Sequence, residues 1–250
     1  MATVDERPRM RAQGFEESRG AWIDLGAALV LTVLTAAGTW RVLGLHASYV
    51  PITAALHLGM SAVLLASLPP DPRRRGLGPA NRVTLGRAVL TLPVMALVLQ
   101  PAPLDAVAQW WIIGASTAVM LLDGIDGWVA RRTRTESPFG ARFDMELDAA
   151  LLMALSALVW RDGRAGAWVL LIGLMRYGFV VAGWIWPALA RELPASLRRK
   201  VVCVVQGVAL LVALGPIVSD GLATAAAAGA LVALTYSFTV DVRWALRAGP

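Results

Sequence analysis

Cysteine and charge are both scarce in this sequence, and each scarcity excludes a class of protein. The chain has 250 residues and a single cysteine, so an internal disulfide is excluded. Only 16% of the residues are charged and 57% are hydrophobic, whereas a typical soluble domain has about 25% charged residues. A disordered chain, a disulfide-stabilised scaffold and an ordinary soluble domain are therefore excluded. Cys203 lies in an apolar run, where we expect a small buried side chain.

Long apolar runs account for most of the chain. A membrane-spanning helix needs about 20 apolar residues, and eight apolar runs can be recognised, of which the fifth is short unless its helix begins nearer Gly140. They lie at about residues 21–43, 49–68, 83–99, 106–122, 147–160, 166–186, 201–218 and 222–240. The first 20 residues are polar and of mixed charge, and no cleavable signal peptide is evident. We expect an all-α, polytopic membrane protein with about eight transmembrane helices.

The basic residues indicate the orientation of the chain in the membrane. Nineteen of the 23 Lys and Arg residues fall on one side of the expected spans: Arg7, Arg9, Arg11, Arg19, Arg73, Arg74, Arg75, Arg82, Arg87, Arg131, Arg132, Arg134, Arg142, Arg191, Arg198, Arg199, Lys200, Arg243 and Arg247. The positive-inside rule places these loops and both termini in the cytoplasm. We expect a bacterial inner-membrane protein whose basic loops face the cytoplasm. The net charge of +6 is then explained by topology, so the lipid bilayer is expected as a partner and nucleic acid is not.

Four aspartates lie where the membrane pattern predicts apolar residues. Asp123 and Asp126 directly follow one apolar run, and Asp144 and Asp148 directly precede the next. Carboxylates at such depth are unfavourable unless they are paired, metal-bound or solvated, and they usually mark a functional site. A ligand set made only of oxygen suits hard cations such as Mg²⁺ or Mn²⁺. Two such cations would neutralise the four charges and bridge a pyrophosphate, as phosphoryl transfer requires.

Helical spacing places small residues beside these carboxylates. At 100° per residue, the first two aspartates share a helix stripe with Gly127 and Ala130. On the next helix, Gly140 shares a stripe with the other two aspartates. Glu146 points roughly 160–200° away from those two aspartates and is left out of the site. The small residues leave room for a ligand next to the charges.

Taken together, these positions resemble the signature of the CDP-alcohol phosphatidyltransferases. The pattern here is Asp123-x-x-Asp126-Gly127-x-x-Ala130-Arg131, eight residues, and then Gly140-x-x-x-Asp144-x-x-x-Asp148. The resemblance implies a six-helix membrane core, so we expect three regions. They are a cytoplasmic segment at 1–20, two additional transmembrane helices at 21–70, and the core at 71–250.

The resemblance also implies a role for each matching residue. The four aspartates would hold two divalent cations, Mg²⁺ or Mn²⁺. Asp144 and Asp148 would be catalytic, with Asp148 as the general base that takes the proton of the acceptor hydroxyl. The nucleotide pocket would be lined by Gly127, Ala130, Arg131 and Gly140. CMP would leave, and the resemblance further implies a homodimer.

A second stretch, residues 79–87, resembles the Pro-Asn-x-x-Thr-x-x-Arg start of the first core helix in this family. Asn81, Thr84 and Arg87 recur every three residues, so they stay near one helix face. Two interpretations are open. The three residues are part of the nucleotide site, or they are an N-cap and a positive-inside anchor.

The acceptor alcohol is left open by conflicting resemblances. The segment 196–206 and the intramembrane Arg176 resemble phosphatidylglycerophosphate synthases, which implies an anionic acceptor such as glycerol 3-phosphate held by Arg142, Arg176 and Lys200. A structural ion pair for Arg176 and a topology anchor for Lys200 are the alternatives. The proline and lysine that those synthases typically carry around the last two aspartates are missing here. Residues 130–144 instead resemble the choline/ethanolamine phosphotransferases, which attach a CDP-activated head group to diacylglycerol.

The expected function is a Mg²⁺-dependent transfer of a phosphatidyl group from CDP-diacylglycerol, a CDP-activated lipid, to a small alcohol. An aminoalcohol phosphotransferase that uses diacylglycerol as acceptor is one alternative. A cation-binding membrane transporter or scaffold is the alternative from another class. The sequence counts against that class, because a bare cation site does not need Gly127, Ala130 and Gly140 on the carboxylate stripes.

Overall fold

The computed structural model describes residues 6–68, 76–133, 137–190, 194 and 196–247, with side chains described for all of these except 6–19, 126–131, 133 and 190. Over these residues the chain is helical and contains no strand. The helices are α1 (Glu6–Leu43), α2 (Tyr49–Ser67), α3 (Pro79–Leu97), α4 (Ala106–Thr133), α5 (Pro138–Arg161), α6 (Leu170–Ile185), α7 (Leu197–Leu214) and α8 (Asp220–Arg247). Short 3₁₀ turns occupy Ala167–Val169 and Pro187–Ala190.

Five segments in the described part of the chain are long and apolar enough to cross a bilayer. They are Gly20–Leu43, Tyr49–Ser67, Ala106–Ile125, Ala167–Ile185 and Asp220–Arg247. Large apolar side chains on these segments are exposed, among them Leu34 at 63% and Trp184 at 79%. Such exposure is unfavourable in water and is expected where lipid is the solvent. The chain is an integral membrane protein, as its apolar runs predicted.

The helices follow the predicted apolar runs and extend beyond them where the sequence turns polar. The fourth run ends at about residue 122, whereas α4 continues to Thr133. The fifth run begins at about residue 147, whereas α5 begins at Pro138. All four aspartates of the motif therefore lie on helices and not in the connecting turn. Cys203 is half-buried, not buried as expected, because the closely packed residues of α7 begin one turn later at Gln206.

The chain forms two compact units. The first contains Met1–Gln100 and Leu121–Leu147, and the second contains Pro101–Met120 and Asp148–Pro250. In the first unit, a buried apolar cluster joins α1, α2, α3 and the first turns of α5. Its members are Ala21, Leu25, Ala28, Leu64, Leu77, Leu85, Val89 and Phe143, with Met60, Leu65, Leu68 and Phe139 packed against them.

Buried hydrogen bonds fasten the first three helices to one another. The Tyr49 hydroxyl on α2 donates to the carbonyl of Pro93 on α3 at 2.9 Å. His57 lies 3.0 Å from the Thr32 hydroxyl through Nδ1 and 3.2 Å from the Leu25 carbonyl through Nε2. Without a hydrophobic driving force between helices in lipid, such polar contacts and close packing hold neighbouring helices together.

In the second unit, an arginine connects the end of α5 with α7 and α8. The Arg164 guanidinium donates to the carbonyls of Ala213 at 3.0 Å and Gly215 at 2.7 Å, and to Asp220 at 2.7 Å. It therefore satisfies carbonyls at the C-terminal end of α7, where no intrahelical donor remains. Further along α7 and α8, the Gln206 amide donates to the Ala230 carbonyl at 2.9 Å.

Candidate active site

Three of the four predicted aspartates lie together on α4 and α5. One carboxylate oxygen from each of Asp123, Asp144 and Asp148 falls within 4.8 Å of the others, and all three residues are half-buried. Asp144 and Asp148 are four residues apart on α5, so one helical turn separates them along one face. Glu146 is exposed and lies outside this group, as its helical position predicted.

The start of α5 explains how the two aspartates are presented. Ser137 precedes the helix, and its hydroxyl accepts a hydrogen bond from the Gly140 amide at 3.0 Å. Pro138 occupies the first helical position, where its missing amide hydrogen is no loss. This N-terminal cap lets the helix begin early enough to include the polar part of the motif.

Arg87 on α3 supplies the positive charge that faces these carboxylates. Its guanidinium lies 2.9 Å from the Asp123 carboxylate and also donates to the Asp144 carboxylate. The Arg87 side chain is 1% exposed, whereas those of Asp123 and Asp144 are 41% and 35% exposed. The arginine is therefore buried behind the carboxylates, which remain open to solvent on their other side.

Asn81, two turns before Arg87 on α3, lies against the glycine of the second motif half. Its amide nitrogen donates to the Leu77 carbonyl at 2.7 Å. A Cβ built on Gly140 would lie 2.5 Å from the Asn81 Oδ1. A side chain at position 140 would therefore displace the Asn81 side chain and disturb its hydrogen bond to Leu77. Thr84, between Asn81 and Arg87, is buried, and its hydroxyl donates to the Ala80 carbonyl at 3.3 Å.

The remaining predicted residues fall into two groups. Asp126, Gly127, Ala130 and Arg131 lie on α4, but their side chains are outside the described residues. The predicted acceptor residues are Arg142, which is exposed on α5, Arg176, half-buried on α6, and Lys200, exposed on α7. Their roles in binding the acceptor stay predictions.

The chemistry of the three-carboxylate group fits a hard divalent cation. Its ligand atoms are all oxygen, with no histidine or cysteine among them. Mg²⁺ and Mn²⁺ prefer oxygen ligands and are typically held by a few carboxylates together with substrate phosphates. The carboxylates are also partly exposed, which leaves coordination positions open for a substrate.

The sequence model of the CDP-alcohol phosphatidyltransferases matches residues 78–240, which include α3 to α7, most of α8 and every residue of the candidate site. The chain belongs to the CDP-alcohol phosphatidyltransferase family. It is therefore an enzyme that transfers phosphate-containing groups, and it acts on CDP-alcohol substrates in a membrane. Members of this family generally use a divalent metal, in agreement with the carboxylate group. No curated protein sequence and no solved structure matches the chain.

Membership of the CDP-alcohol phosphatidyltransferase family was predicted from the motif, but the roles of two charged residues in apolar runs, Arg87 and Asp24, were not. Arg87 was assigned to the nucleotide or to a membrane anchor, and its contact with Asp123 and Asp144 was missed. The signal was available, because an arginine in an apolar run needs a counter-charge within the protein. Asp24 on α1 was not considered, although it too is a charge inside an apolar run.

Proposed function

We propose that this chain transfers a phosphatidyl group from CDP-diacylglycerol to a small alcohol and releases CMP, with Mg²⁺ as the cofactor. The observation that carries the proposal is the group formed by Asp123, Asp144 and Asp148, which lies inside the region matched by the family. Transfer from a CDP-activated lipid needs neutralisation of the negative charge on the pyrophosphate. A group of carboxylates is suited to hold the divalent cations that neutralise it.

The aspartates have two roles in this proposal. Asp123, Asp126, Asp144 and Asp148 hold two divalent cations, which when bound neutralise the charge that develops on the leaving phosphate. Asp148 is the general base: its carboxylate takes the proton of the acceptor hydroxyl as the acceptor oxygen bonds to the lipid-bearing phosphorus. The bond from that phosphorus to the oxygen of CMP breaks in the same displacement. A positioned base of this kind contributes about 10²–10⁴ in rate.

The nucleotide is placed by small and polar residues next to the carboxylates. We assign Gly127, Ala130, Arg131 and Gly140 to the nucleotide pocket, with Asn81 and Thr84 beside it. The contact of Asn81 with Gly140 supports this assignment, because it joins the α3 pattern to the second motif half. Arg87, buried against Asp123 and Asp144, is more naturally a partner of the carboxylates than of the nucleotide.

The acceptor is assigned by charge. Arg142, Arg176 and Lys200 are the basic residues proposed to hold an anionic small alcohol such as glycerol 3-phosphate. We further propose a homodimer in a bacterial inner membrane, with the site and both termini facing the cytoplasm. In this proposal residues 1–20 are a cytoplasmic segment, 21–70 are two additional helices and 71–250 are the six-helix core. A cytoplasmic site allows water-soluble CMP to leave while the lipid substrate enters from the bilayer.

An acceptor screen tests the proposal and identifies the alcohol. Purified protein in lipid nanodiscs receives CDP-diacylglycerol, Mg²⁺ and one alcohol at a time, and the lipid products are identified by mass spectrometry. We expect a new phospholipid with one acceptor, and Asp148→Asn to lower its formation at least about 100-fold. Asp220→Asn is the matched control, because Asp220 is paired with Arg164 in the second unit, outside the carboxylate group.

Two results would contradict the proposal. One is that no acceptor gives a product, and the other is that Asp148→Asn matches the wild-type rate. Product formation only from a CDP-aminoalcohol and diacylglycerol would replace the proposed donor by a CDP-activated head group. A rise in melting temperature with the cation alone, and no further rise with CDP, would favour a transporter or scaffold.

A further inference from the structure

A helix outside the family-matched region contacts the segment that begins α3. The match starts at residue 78, whereas α1 ends at Leu43. Asp24 of α1 nevertheless uses both of its carboxylate oxygens on that segment. Oδ2 accepts from the Leu77 amide at 2.9 Å, and Oδ1 accepts from Nε of Arg82 at 2.9 Å. The Asp24 side chain is only 11% exposed, so these contacts satisfy a largely buried charge.

The two residues Gly76 and Leu77, which precede α3, allow this contact with Asp24. Gly76 has φ +87°, a conformation that favours glycine, and a Cβ there would lie 2.7 Å from the Asp24 Oδ2. The segment therefore approaches α1 as closely as a backbone without a side chain allows. Leu77 is buried in the same apolar cluster as Ala21 and Leu25, the residues that flank Asp24 on α1.

From this anchor, a short series of contacts reaches the candidate site. The Leu77 carbonyl accepts from the Asn81 amide, whose oxygen lies against Gly140 of α5. The apolar cluster that packs on α1 also includes Phe143, the neighbour of Asp144. Farther along α3, Arg87 meets Asp123 and Asp144. Moving the start of α3 would therefore move Asn81 relative to Gly140, and Arg87 relative to Asp123 and Asp144.

We propose that Asp24 is a positioning residue for the carboxylate group, because it fixes the start of α3 so that Arg87 meets Asp123 and Asp144. This assigns the additional N-terminal helix a part in the catalytic centre, and the inference rests on the proposed function of that centre. Asp24 itself touches no motif residue among the contacts described. Its effect is transmitted by the placement of α3.

A double-mutant cycle in thermal stability tests the inference without requiring activity. Asp24→Ala, Arg87→Met and the double variant are purified, and their melting temperatures are measured in EDTA. If Asp24 places Arg87, the melting temperature of the double variant falls clearly less than the sum of the two single decreases. Without Asp24, the contacts of Arg87 with the carboxylates are already weakened, so removing Arg87 costs less. Asp220→Ala replaces Asp24→Ala in the control cycle. It breaks an ion pair with Arg164 in the second unit, and its loss adds to that of Arg87→Met.

Additive losses in the Asp24 cycle would overturn the inference, because a merely structural residue gives that result. If Asp24→Ala does not fold, Asp24→Ser takes its place, because its shorter side chain also gives up the contacts with Leu77 and Arg82 but keeps a polar group on α1. In the acceptor assay we expect Asp24→Ala to lower kcat/KM at least tenfold, Asp24→Asn to restore most of it and Asp220→Ala to change it less than twofold. An activity loss no larger for Asp24→Ala than for Asp220→Ala would also overturn the inference. If the wild-type protein forms no product, only the proposed function is contradicted. The stability cycle still tests the role of Asp24.

Discussion

Replacing Arg87 by methionine removes the guanidinium that faces Asp123 and Asp144 while keeping a long apolar side chain in its place. Removing one partner of a buried ion pair costs about 3–5 kcal/mol. The two carboxylates are 41% and 35% exposed, so water solvates part of the charge that is left behind. We therefore expect the lower end of the range, about 3 kcal/mol. For a chain of this size, that loss lowers the melting temperature in EDTA by roughly 6–12 °C.

The same substitution is expected to tighten cation binding. The guanidinium and a divalent cation would compete for the carboxylates. As a guide to the size of the effect, a single and a double positive charge repel by about 1.4 kcal/mol at about 6 Å even in bulk water. That energy is a factor of about ten in affinity, and the protein environment screens less than water does. We expect Arg87→Met to bind Mn²⁺ at least about tenfold more tightly than the wild type. Saturating Mg²⁺ should then recover much of the lost melting temperature.

Titration of the purified protein with Mn²⁺, followed by electron paramagnetic resonance of the free ion, measures this affinity directly. Arg164→Met is the matched control, because Arg164 is a mostly buried arginine, 14% exposed, that pairs with Asp220 in the second unit. It should lower the melting temperature without changing the Mn²⁺ affinity. An affinity of Arg87→Met for Mn²⁺ that is unchanged or weaker would contradict this prediction, since Arg87 would then not be the counter-charge that the cation displaces.

Two further predictions concern packing and pH. A Cβ at Gly140 would lie 2.5 Å from the Asn81 Oδ1, so Gly140→Ala should lower stability by about 1–3 kcal/mol and reduce product formation. Gly178→Ala is the control, because nothing lies within 4 Å of a Cβ there. It should leave the melting temperature unchanged or raise it, and leave activity unchanged. Burial raises the pKa of Asp162 above its usual value, although the hydrogen bond from Gln109 opposes the shift. The folded state therefore holds the proton more tightly than the unfolded state, and its stability falls as the pH rises from 3.8 through the raised pKa. Asp162→Asn keeps an acceptor for Gln109. The melting temperature of Asp162→Asn minus that of the wild type should therefore increase from pH 4 to pH 7. A difference that does not change with pH would contradict the raised pKa of Asp162.

The length of the apolar runs predicted the helices, because a bilayer demands long, continuous apolar segments with satisfied backbones. The spacing of Asp144 and Asp148 predicted their shared face, since positions four apart always lie together on a helix. The meeting of Asp123 with these two residues depends on packing between helices. The sequence indicated it through the four aspartates at the facing ends of two consecutive apolar runs, and through the family resemblance.

The contacts of Arg87 and Asp24 could not be predicted from local pattern. Asp24 and Leu77 are 53 residues apart, and no periodicity links them. Each charge inside an apolar run signalled that a partner was needed, but not which one. Only the packing of α1, α3 and α5 around one apolar cluster identifies those partners.

The carboxylate group on α4 and α5 is proposed to catalyse a metal-dependent transfer from a CDP-activated lipid. The most direct measurement is CMP release from CDP-diacylglycerol by the purified wild-type protein with a panel of alcohols, compared in Mg²⁺ and in EDTA. We expect CMP release with at least one alcohol in Mg²⁺ and none above background in EDTA. Equal release in EDTA, or no release with any alcohol in Mg²⁺, would contradict it.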